Sequence, residues 1–204
     1  MLDLDKYQGI IFDMDGTLVD TMGGHLDAWE VACAAYGFPF DREFLHGLGG
    51  VPSVKTVEIL NELHGQSHDA DEVANHKHQA WLDMNHKPQL IPETSLVFSE
   101  YRATLKIGIG TGAKREGAEL ILDGVGLLDQ VDALVTSSDV VNGKPAPDTF
   151  LLVAEKMGIN SSACVVFEDT KIGLQAAAAA GMDCYLIDNG QFFFYPANVS
   201  MTVS

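Results

Sequence analysis

Short apolar segments that end in polar or acidic residues recur along the chain and alternate with helical patterns. The first, Gly9–Phe12, runs directly into an aspartate, as a buried strand does where it feeds a loop. Four further segments of this kind lie at residues 105–110, 133–136, 164–167 and 184–187. Helical patterns at 146–157 and 172–180 are each followed by a glycine. The alternation predicts parallel βαβ units, and therefore an α/β fold with a doubly wound, Rossmann-like parallel sheet.

One long region breaks this alternation. Between residues 22 and 86, apolar residues recur at helical spacing in three stretches, and none of them has the pattern of a strand. A helical block after the first strand predicts an inserted α-helical cap at residues 21–87. The core then consists of residues 1–20 and 88–204. The aromatic segment 192–195 is compatible with a strand, an interface patch or a packed tail.

The charge of the chain restricts its partners. Among 204 residues, 29 are Asp or Glu and 12 are Lys or Arg, which gives a formal net charge of -17. Such a protein repels the phosphate backbone, so nucleic acid and anionic membranes are disfavoured. The three cysteines have no metal-type spacing, and the sequence shows no secretory leader or membrane-length apolar run. We therefore expect a protein of the reducing cytoplasm.

The sharpest motif is IIFDMDGTLVD, residues 10–20. Asp13 and Asp15 follow the first predicted strand, where open α/β sheets place their ligands. On an extended backbone, residues two apart point the same way, so both carboxylates can face one reaction centre. Their mutual repulsion is relieved by a cation, and hard oxygen ligands favour Mg²⁺.

Three further strand ends carry polar residues. Glu168 and Asp169 end the segment VVFED, and parallel pairing would bring them to the same sheet edge as Asp13. Thr111 and Gly112 follow IGIG, where a hydroxyl and exposed backbone N–H groups would seat a phosphate. Lys144 lies in the loop GKPAP, whose prolines restrict its position. It would supply the positive charge that a phosphorylated substrate needs.

Together and in this order, these motifs resemble those of the haloacid dehalogenase superfamily over nearly the whole chain. DMDGT matches its first motif, Thr111 the second, Lys144 in GKPAPDTF the third, and EDTKIG (168–173) the fourth. The helical cap after the first motif is similar to the branch that contains β-phosphoglucomutase. KPAPDTF, VVFEDTKIGLQAA and the cap pattern around His25 are similar to bacterial fructose-1-phosphate and 6-phosphogluconate phosphatase-like proteins.

The resemblance implies a Mg²⁺-dependent phosphatase that acts through an aspartyl-phosphate. Asp13 would be the nucleophile, and Asp15 the general acid and then the base. Thr111, Gly112 and Lys144 would hold the phosphoryl group. The metal ligands that the resemblance implies are Asp13, the backbone carbonyl of Asp15, Glu168 and Asp169. His25 matches a histidine that couples cap closure to Asp15.

The cap departs from the mutase pattern. β-Phosphoglucomutase holds a second phosphate with a cap arginine, whereas the matching segment here, GGVPSVKTV (49–57), has none. Ala113 also stands where a hydroxyl would help. Both departures favour hydrolysis of a small sugar phosphate, although Lys55, Lys114 and Arg115 could supply positive charge to the substrate. A phosphosugar mutase is the alternative.

Other functions fit less well. A dehalogenase needs no acid two residues after the nucleophile, and a phospho-accepting receiver lacks a helical cap. A catalytically idle binding protein would not need Asp13, Asp15, Thr111, Lys144 and Asp169 together. For the substrate, a hexose phosphate, phosphogluconate, phosphoglycolate and nucleotide stay open, in that order of preference. A monomer or weak homodimer is expected.

Overall fold

The computed structural model describes residues 2–84 and 87–197. The remaining parts of the predicted cap and core, residues 85–86 and 198–204, lie outside the described residues.

A central sheet confirms the predicted α/β architecture. The strands are β1 Gly9–Phe12, β2 Val19–Asp20, β3 Gln89–Leu90, β4 Lys106–Gly110, β5 Ala133–Val135, β6 Cys164–Glu168, β7 Asp183–Asp188 and β8 Gln191–Tyr195. Six of them form one sheet in the order β5-β4-β1-β6-β7-β8. All neighbours pair in parallel except β7 and β8, which form an antiparallel hairpin. Strand β1 lies inside the sheet between β4 and β6, so its end is central to any site at that edge.

Eight α-helices surround or cover the sheet in the described part of the chain. They are α1 Met22–Tyr36, α2 Arg42–Gly47, α3 Ser53–His64, α4 Ala70–Asp83, α5 Pro92–Tyr101, α6 Arg115–Gly124, α7 Asp148–Met157 and α8 Lys171–Ala179. Short 3₁₀ helices occupy Leu128–Gln130 and Ser161–Ala163. The described part of the predicted cap contains four α-helices rather than three. Helix α2 has only six residues, too few to show a helical period in the sequence.

The core lies on both faces of the sheet. Ile10 and Phe12 of β1 belong to one fully buried apolar cluster, and Ile11 between them belongs to a second. This division follows from the alternation of side chains along a strand. The first cluster includes Phe98 of α5, and the second includes Phe150 of α7. Helices on both faces therefore fix β1 in place.

The cap has an apolar cluster of its own, built around Leu26, Trp29 and Leu60. The chain enters and leaves it through β2 and β3, which pair as a two-stranded antiparallel ribbon, Val19 opposite Leu90.

The aromatic segment left open by the sequence forms strand β8. Phe192 packs against Phe167 and Tyr185, with ring centroids 5.7 and 6.3 Å apart, whereas Phe193 and Phe194 are exposed. No helix in the described part of the chain combines the length and apolar character that crossing a membrane requires.

Candidate active site

The carboxyl ends of three neighbouring strands bring the motif residues together. Phe12 of β1 lies opposite Ile109 of β4 and Phe167 of β6, so the residues that follow these strands meet at one edge. The backbone N–H of Asp13 donates to the carbonyl of Phe167 (2.9 Å), and that of Thr111 donates to Val135 (3.0 Å). The backbone hydrogen bonding of the sheet thus continues past the ends of the strands and fixes the backbone of Asp13 and Thr111.

Lys144 reaches this edge from the loop before α7. Its Nζ donates to Asp13 Oδ1 at 2.5 Å and to Glu168 Oε1 at 2.7 Å. All three side chains are buried, and Lys144 is 3% exposed. Burial opposes the charge on the lysine, but the two carboxylates outweigh it and raise its pKa. Lys144 is therefore a fixed cation between two acids.

The acids outnumber this cation. Asp13, Glu168 and Asp169 each offer a carboxylate oxygen, and the three oxygens lie within 4.8 Å of one another. Burial raises the pKa of Asp13 well above its ordinary value, although Lys144 opposes the shift. Burial, with the charge of Glu168, raises the pKa of Asp169 to about 7. Two buried acids and the partly buried Asp169, with one lysine, retain excess negative charge, and acceptor-only oxygens suit a hard divalent cation. The donor set therefore fits a metal ion.

The turn after β1 holds Asp169 in this cluster. Thr17 Oγ1 donates to Asp169 Oδ1 at 2.9 Å. Gly16 has φ of 84°, and a methyl group on it would lie 2.4 Å from Asp169 Oδ2. Both its backbone conformation and the approach of the carboxylate therefore require glycine here.

Asp15 directs its carboxylate away from the acidic cluster and toward the cap. It accepts hydrogen bonds from Thr21 Oγ1 (2.5 Å) and Thr111 Oγ1 (3.2 Å), and its Oδ1 lies 3.0 Å from His25 Nε2. Burial would raise its pKa, but His25, Thr21 and Lys77 together lower it. Any contribution of Asp15 to the metal site would come from its backbone.

His25 is held on its other side by Lys77 of α4. Lys77 Nζ lies 2.9 Å from His25 Nδ1 and 5.6 Å from the ring centre of Trp29. An ammonium group only donates, so Nδ1 accepts and Nε2 carries the hydrogen that points at Asp15. Burial, followed by the charge of Lys77, lowers the pKa of His25 and keeps the ring neutral. Burial also lowers the pKa of Lys77 to about 8.

Sequence reasoning missed Lys77. A lone lysine in the segment ADEVANHKHQAW is typical of a solvated helix face. The available signal was its position four residues from both Val73 and Trp81, which places it on the apolar stripe of α4. All three residues are buried.

A cavity of about 80 Å³ lies between the sheet edge and the cap. The core side includes Asp13, Asp15, Thr111 and Gly112. The cap side includes His25, Trp29 and Lys77, together with Leu45, Leu48, Gly49, Gly50, Val51, Ser53 and Thr56. The structure therefore brings together all the predicted phosphate-seat and nucleophile residues, with Lys144 behind them.

Two residues predicted to bind substrate lie elsewhere. Lys55 is mainly exposed and pairs with Glu58 at 2.7 Å. The helical period of α3 turns it outward, and Ser53 and Thr56 line the cavity instead. Arg115 is absent from the cavity wall; its guanidinium binds Glu119 and Asp139 at 3.1 and 2.5 Å. The structure therefore offers neither residue to a substrate in the cavity.

The chain belongs to the haloacid dehalogenase-like hydrolases, because the model of that family matches residues 7–181. This confirms the resemblance drawn from the four motifs.

Curated relatives and solved structures agree. The chain is 38% identical to the fructose-1-phosphate phosphatase YqaB of Escherichia coli over 88% of this chain and 95% of that protein. It is 25% identical to the β-phosphoglucomutase of Bacillus subtilis over 90% of this chain and 84% of that protein. A hydrolase from Pseudomonas syringae superposes with a TM-score of 0.82 at 26% identity, covering 90% of this chain and 85% of that chain.

Proposed function

We propose that this chain is a Mg²⁺-dependent phosphatase that hydrolyses a sugar phosphate, with fructose 1-phosphate as the first candidate. The observation that carries the proposal is the buried contact of Lys144 with Asp13 and Glu168, beside Asp169. This arrangement provides a nucleophilic carboxylate, a fixed cation and a metal-type donor set at one sheet edge. The similarity to YqaB supports the choice of substrate.

In the proposed reaction, Asp13 attacks the phosphorus atom. The bond from phosphorus to the sugar oxygen breaks, and an acyl phosphate forms on Asp13. Lys144 and the hydroxyl of Thr111 would hold phosphoryl oxygens, where the charge of the transition state is spread. A bound divalent cation, with Asp13, Glu168 and Asp169 as ligands, would neutralise charge on the same group.

Asp15 would supply and recover the proton. A phosphate dianion that enters beside it adds negative charge, which raises the pKa of Asp15 and favours its protonated form. The departing sugar oxygen takes this proton, and the resulting carboxylate accepts one from the water that attacks the acyl phosphate. The hydrogen bond from neutral His25 keeps the carboxylate turned toward Thr111 rather than toward the metal ligands.

The cavity wall supports hydrolysis over phosphate transfer between sugar positions. A mutase must retain a doubly phosphorylated intermediate, which needs a second cluster of positive charge. The cap side of this cavity presents Ser53 and Thr56, and Lys77, which also lines it, is bonded to His25. Hydroxyl groups at these positions suit the neutral body of a sugar.

The partner would accordingly be a small phosphorylated metabolite. The net charge of -17 supports this over nucleic acid or an anionic membrane. A cytoplasmic location and a monomeric or weakly dimeric state stay predictions.

The test is phosphate release from a panel of sugar phosphates, phosphorylated sugar acids and mononucleotides, with Mg²⁺ and with EDTA. We expect metal-dependent release from fructose 1-phosphate or a close analogue, and none from Asp13→Asn, whose fold circular dichroism should show intact. Conversion of glucose 1-phosphate to glucose 6-phosphate, primed by a bisphosphate and without net release, would establish the mutase instead. Full activity in Asp13→Asn would reject the nucleophile.

A further inference from the structure

The cap touches the core beside the catalytic lysine. Pro52, the residue before α3, lies against Gly143, the residue before Lys144. A methyl group on Gly143 would lie 2.6 Å from Cγ of Pro52 and 3.1 Å from its Cδ. Real side chains do not approach within 3.0 Å in this way. The proline ring therefore occupies the space that any other residue at position 143 would need.

One further close approach and one ordinary van der Waals contact lie beside it. A methyl group on Gly112 would lie 2.4 Å from the carbonyl oxygen of Gly50. One on Gly50 would lie 3.6 Å from Cδ of Lys144. Cap residues 50–52, named here the cap segment, thus rest directly on the phosphate seat and on the lysine loop.

In the proposed reaction, this arrangement would open and re-form in each turnover. Asp13 and Lys144 are each 3% exposed, and the cap segment forms part of the cavity wall above them. A sugar phosphate larger than the cavity of about 80 Å³ would reach Asp13 only after the cap segment moves away. The two surfaces that meet are the rigid ring of Pro52 and Gly143, which has no side chain. Because neither has rotamers to fix, their contact costs little side-chain entropy.

We propose that Gly143 is a positioning residue that receives Pro52 when the cap closes, so that closure places the loop that carries Lys144. The inference rests on the proposed function, since it concerns how that site is assembled. Gly143 acts through Lys144 and does not touch the reacting atoms. The two Pro52 atoms are the ones found within 4 Å of a methyl group at position 143.

The substitution Gly143→Ala isolates this contact. Gly143 does not have a positive φ, so alanine fits its backbone and the new methyl group conflicts only with a seated Pro52. We expect kcat/KM to fall by about tenfold or more, since a misplacement near 1 Å at a catalytic group can cost on the order of a hundredfold. Thermal stability should change little.

Pro52→Ala is the matching change in the cap, because it deletes the Cγ and Cδ atoms that the methyl group would meet. The double variant Gly143→Ala/Pro52→Ala should recover most of the lost kcat/KM, which a general folding defect would not do. Gly124→Ala, at the end of α6 with no atom within 4 Å of the added methyl, is the control and should behave as the wild type.

Tryptophan fluorescence gives a second readout that does not depend on turnover. Both tryptophans of the chain, Trp29 and Trp81, lie in the cap, and Trp29 lines the cavity. Titration of the Mg²⁺-supplemented protein with inorganic phosphate should shift the wild-type spectrum. The shift should need at least about tenfold more phosphate in Gly143→Ala, in line with the loss in kcat/KM, and return in the double variant.

The outcomes separate the two proposals. If wild-type protein releases no phosphate from any substrate, the proposed function fails, and the fluorescence cycle still tests the contact. Wild-type behaviour of Gly143→Ala in both assays would overturn the inference. A double variant as impaired as Gly143→Ala alone would overturn it equally, because the defect would then not arise from Pro52.

Discussion

Replacing Lys144 by methionine tests how strongly one buried cation stabilises the acidic site. Methionine keeps most of the length and the apolar stem of lysine, so the change removes the charge and leaves little empty space. It deprives Asp13 and Glu168 of an ammonium group at 2.5 and 2.7 Å, in a region that is almost fully buried. Two carboxylates then lie together without a cation, although Glu168 keeps its hydrogen bonds from Thr170.

The expected loss of stability is large for a single substitution. Breaking a buried ion pair by removing one partner costs about 3–5 kcal/mol, because the remaining charge is buried without compensation. In urea, with a slope of roughly 2–3 kcal/mol per molar for a chain of this size, the unfolding midpoint should fall by roughly 1–2.5 M. The exposed Lys156→Met, whose Nζ lies 3.9 Å from Asp139, should change stability by less than about 0.5 kcal/mol.

The loss should also depend on pH. Burial already raises the pKa of Asp13, and removal of Lys144 raises it further. A carboxyl whose folded pKa exceeds its unfolded value favours the folded state at low pH, and that contribution disappears as pH rises through the folded pKa. The variant should therefore be closer to the wild type at pH 5.5 than at pH 8, when urea unfolding is followed without metal. A loss of the same size at both values, or none, would refute the view that Lys144 stabilises the site by neutralising buried charge.

Three further predictions concern the same edge of the sheet. In Asp15→Ala, p-nitrophenyl phosphate should release one p-nitrophenolate per enzyme in a burst without steady turnover, because the base that activates water against the acyl phosphate on Asp13 is missing. Normal steady turnover, measured by absorbance, would remove the acid and base role of Asp15. Gly173→Ala places a methyl group 1.8 Å from Glu168 Oε1. The gain of about 1 kcal/mol in helix propensity should be outweighed by an overpacking cost of about 1–3 kcal/mol, and more Mg²⁺ should be needed for activity. Unchanged urea stability and metal dependence would contradict this. The pKa of Asp169 is raised from 3.8 to about 7, so its protonated form stabilises the folded state at low pH. EDTA-treated protein should therefore lose roughly 2–3 kcal/mol of stability as the pH rises from 5 to 8, and Mg²⁺ should restore it. A flat pH profile of urea stability would argue against a buried acidic cluster.

The sheet edge could be predicted from the sequence because it follows from local rules. Apolar runs such as Gly9–Phe12 specify buried strands, and parallel pairing brings their polar ends together without further information. The convergence of Asp13, Thr111 and Asp169 needed only the order of the strands. Lys144 could be included because the prolines of its loop limit where it can point.

The cap was less predictable because its contacts join residues that are distant in sequence. The spacing of Lys77 from Val73 and Trp81 places it on the apolar stripe of α4, but its burial results from the packing of α4 on α1, which joins residues distant in sequence. Lys55 was expected in the cavity for its charge, but rotation of α3 decides which side chains face inward, and Ser53 and Thr56 do. Strand β8 stayed ambiguous because a run of four aromatic residues does not alternate, although its pairing with β7 is regular.

The ribbon of β2 and β3 has a consequence for how such a chain can change over time. Val19 pairs directly with Leu90, so everything between them begins and ends at one point on the core. Replacement of that stretch by one of different length would leave the strand order and register of the main sheet untouched. We therefore expect substrate preference to diversify by exchange or remodelling of this stretch, while the reaction chemistry at the sheet edge is inherited unchanged.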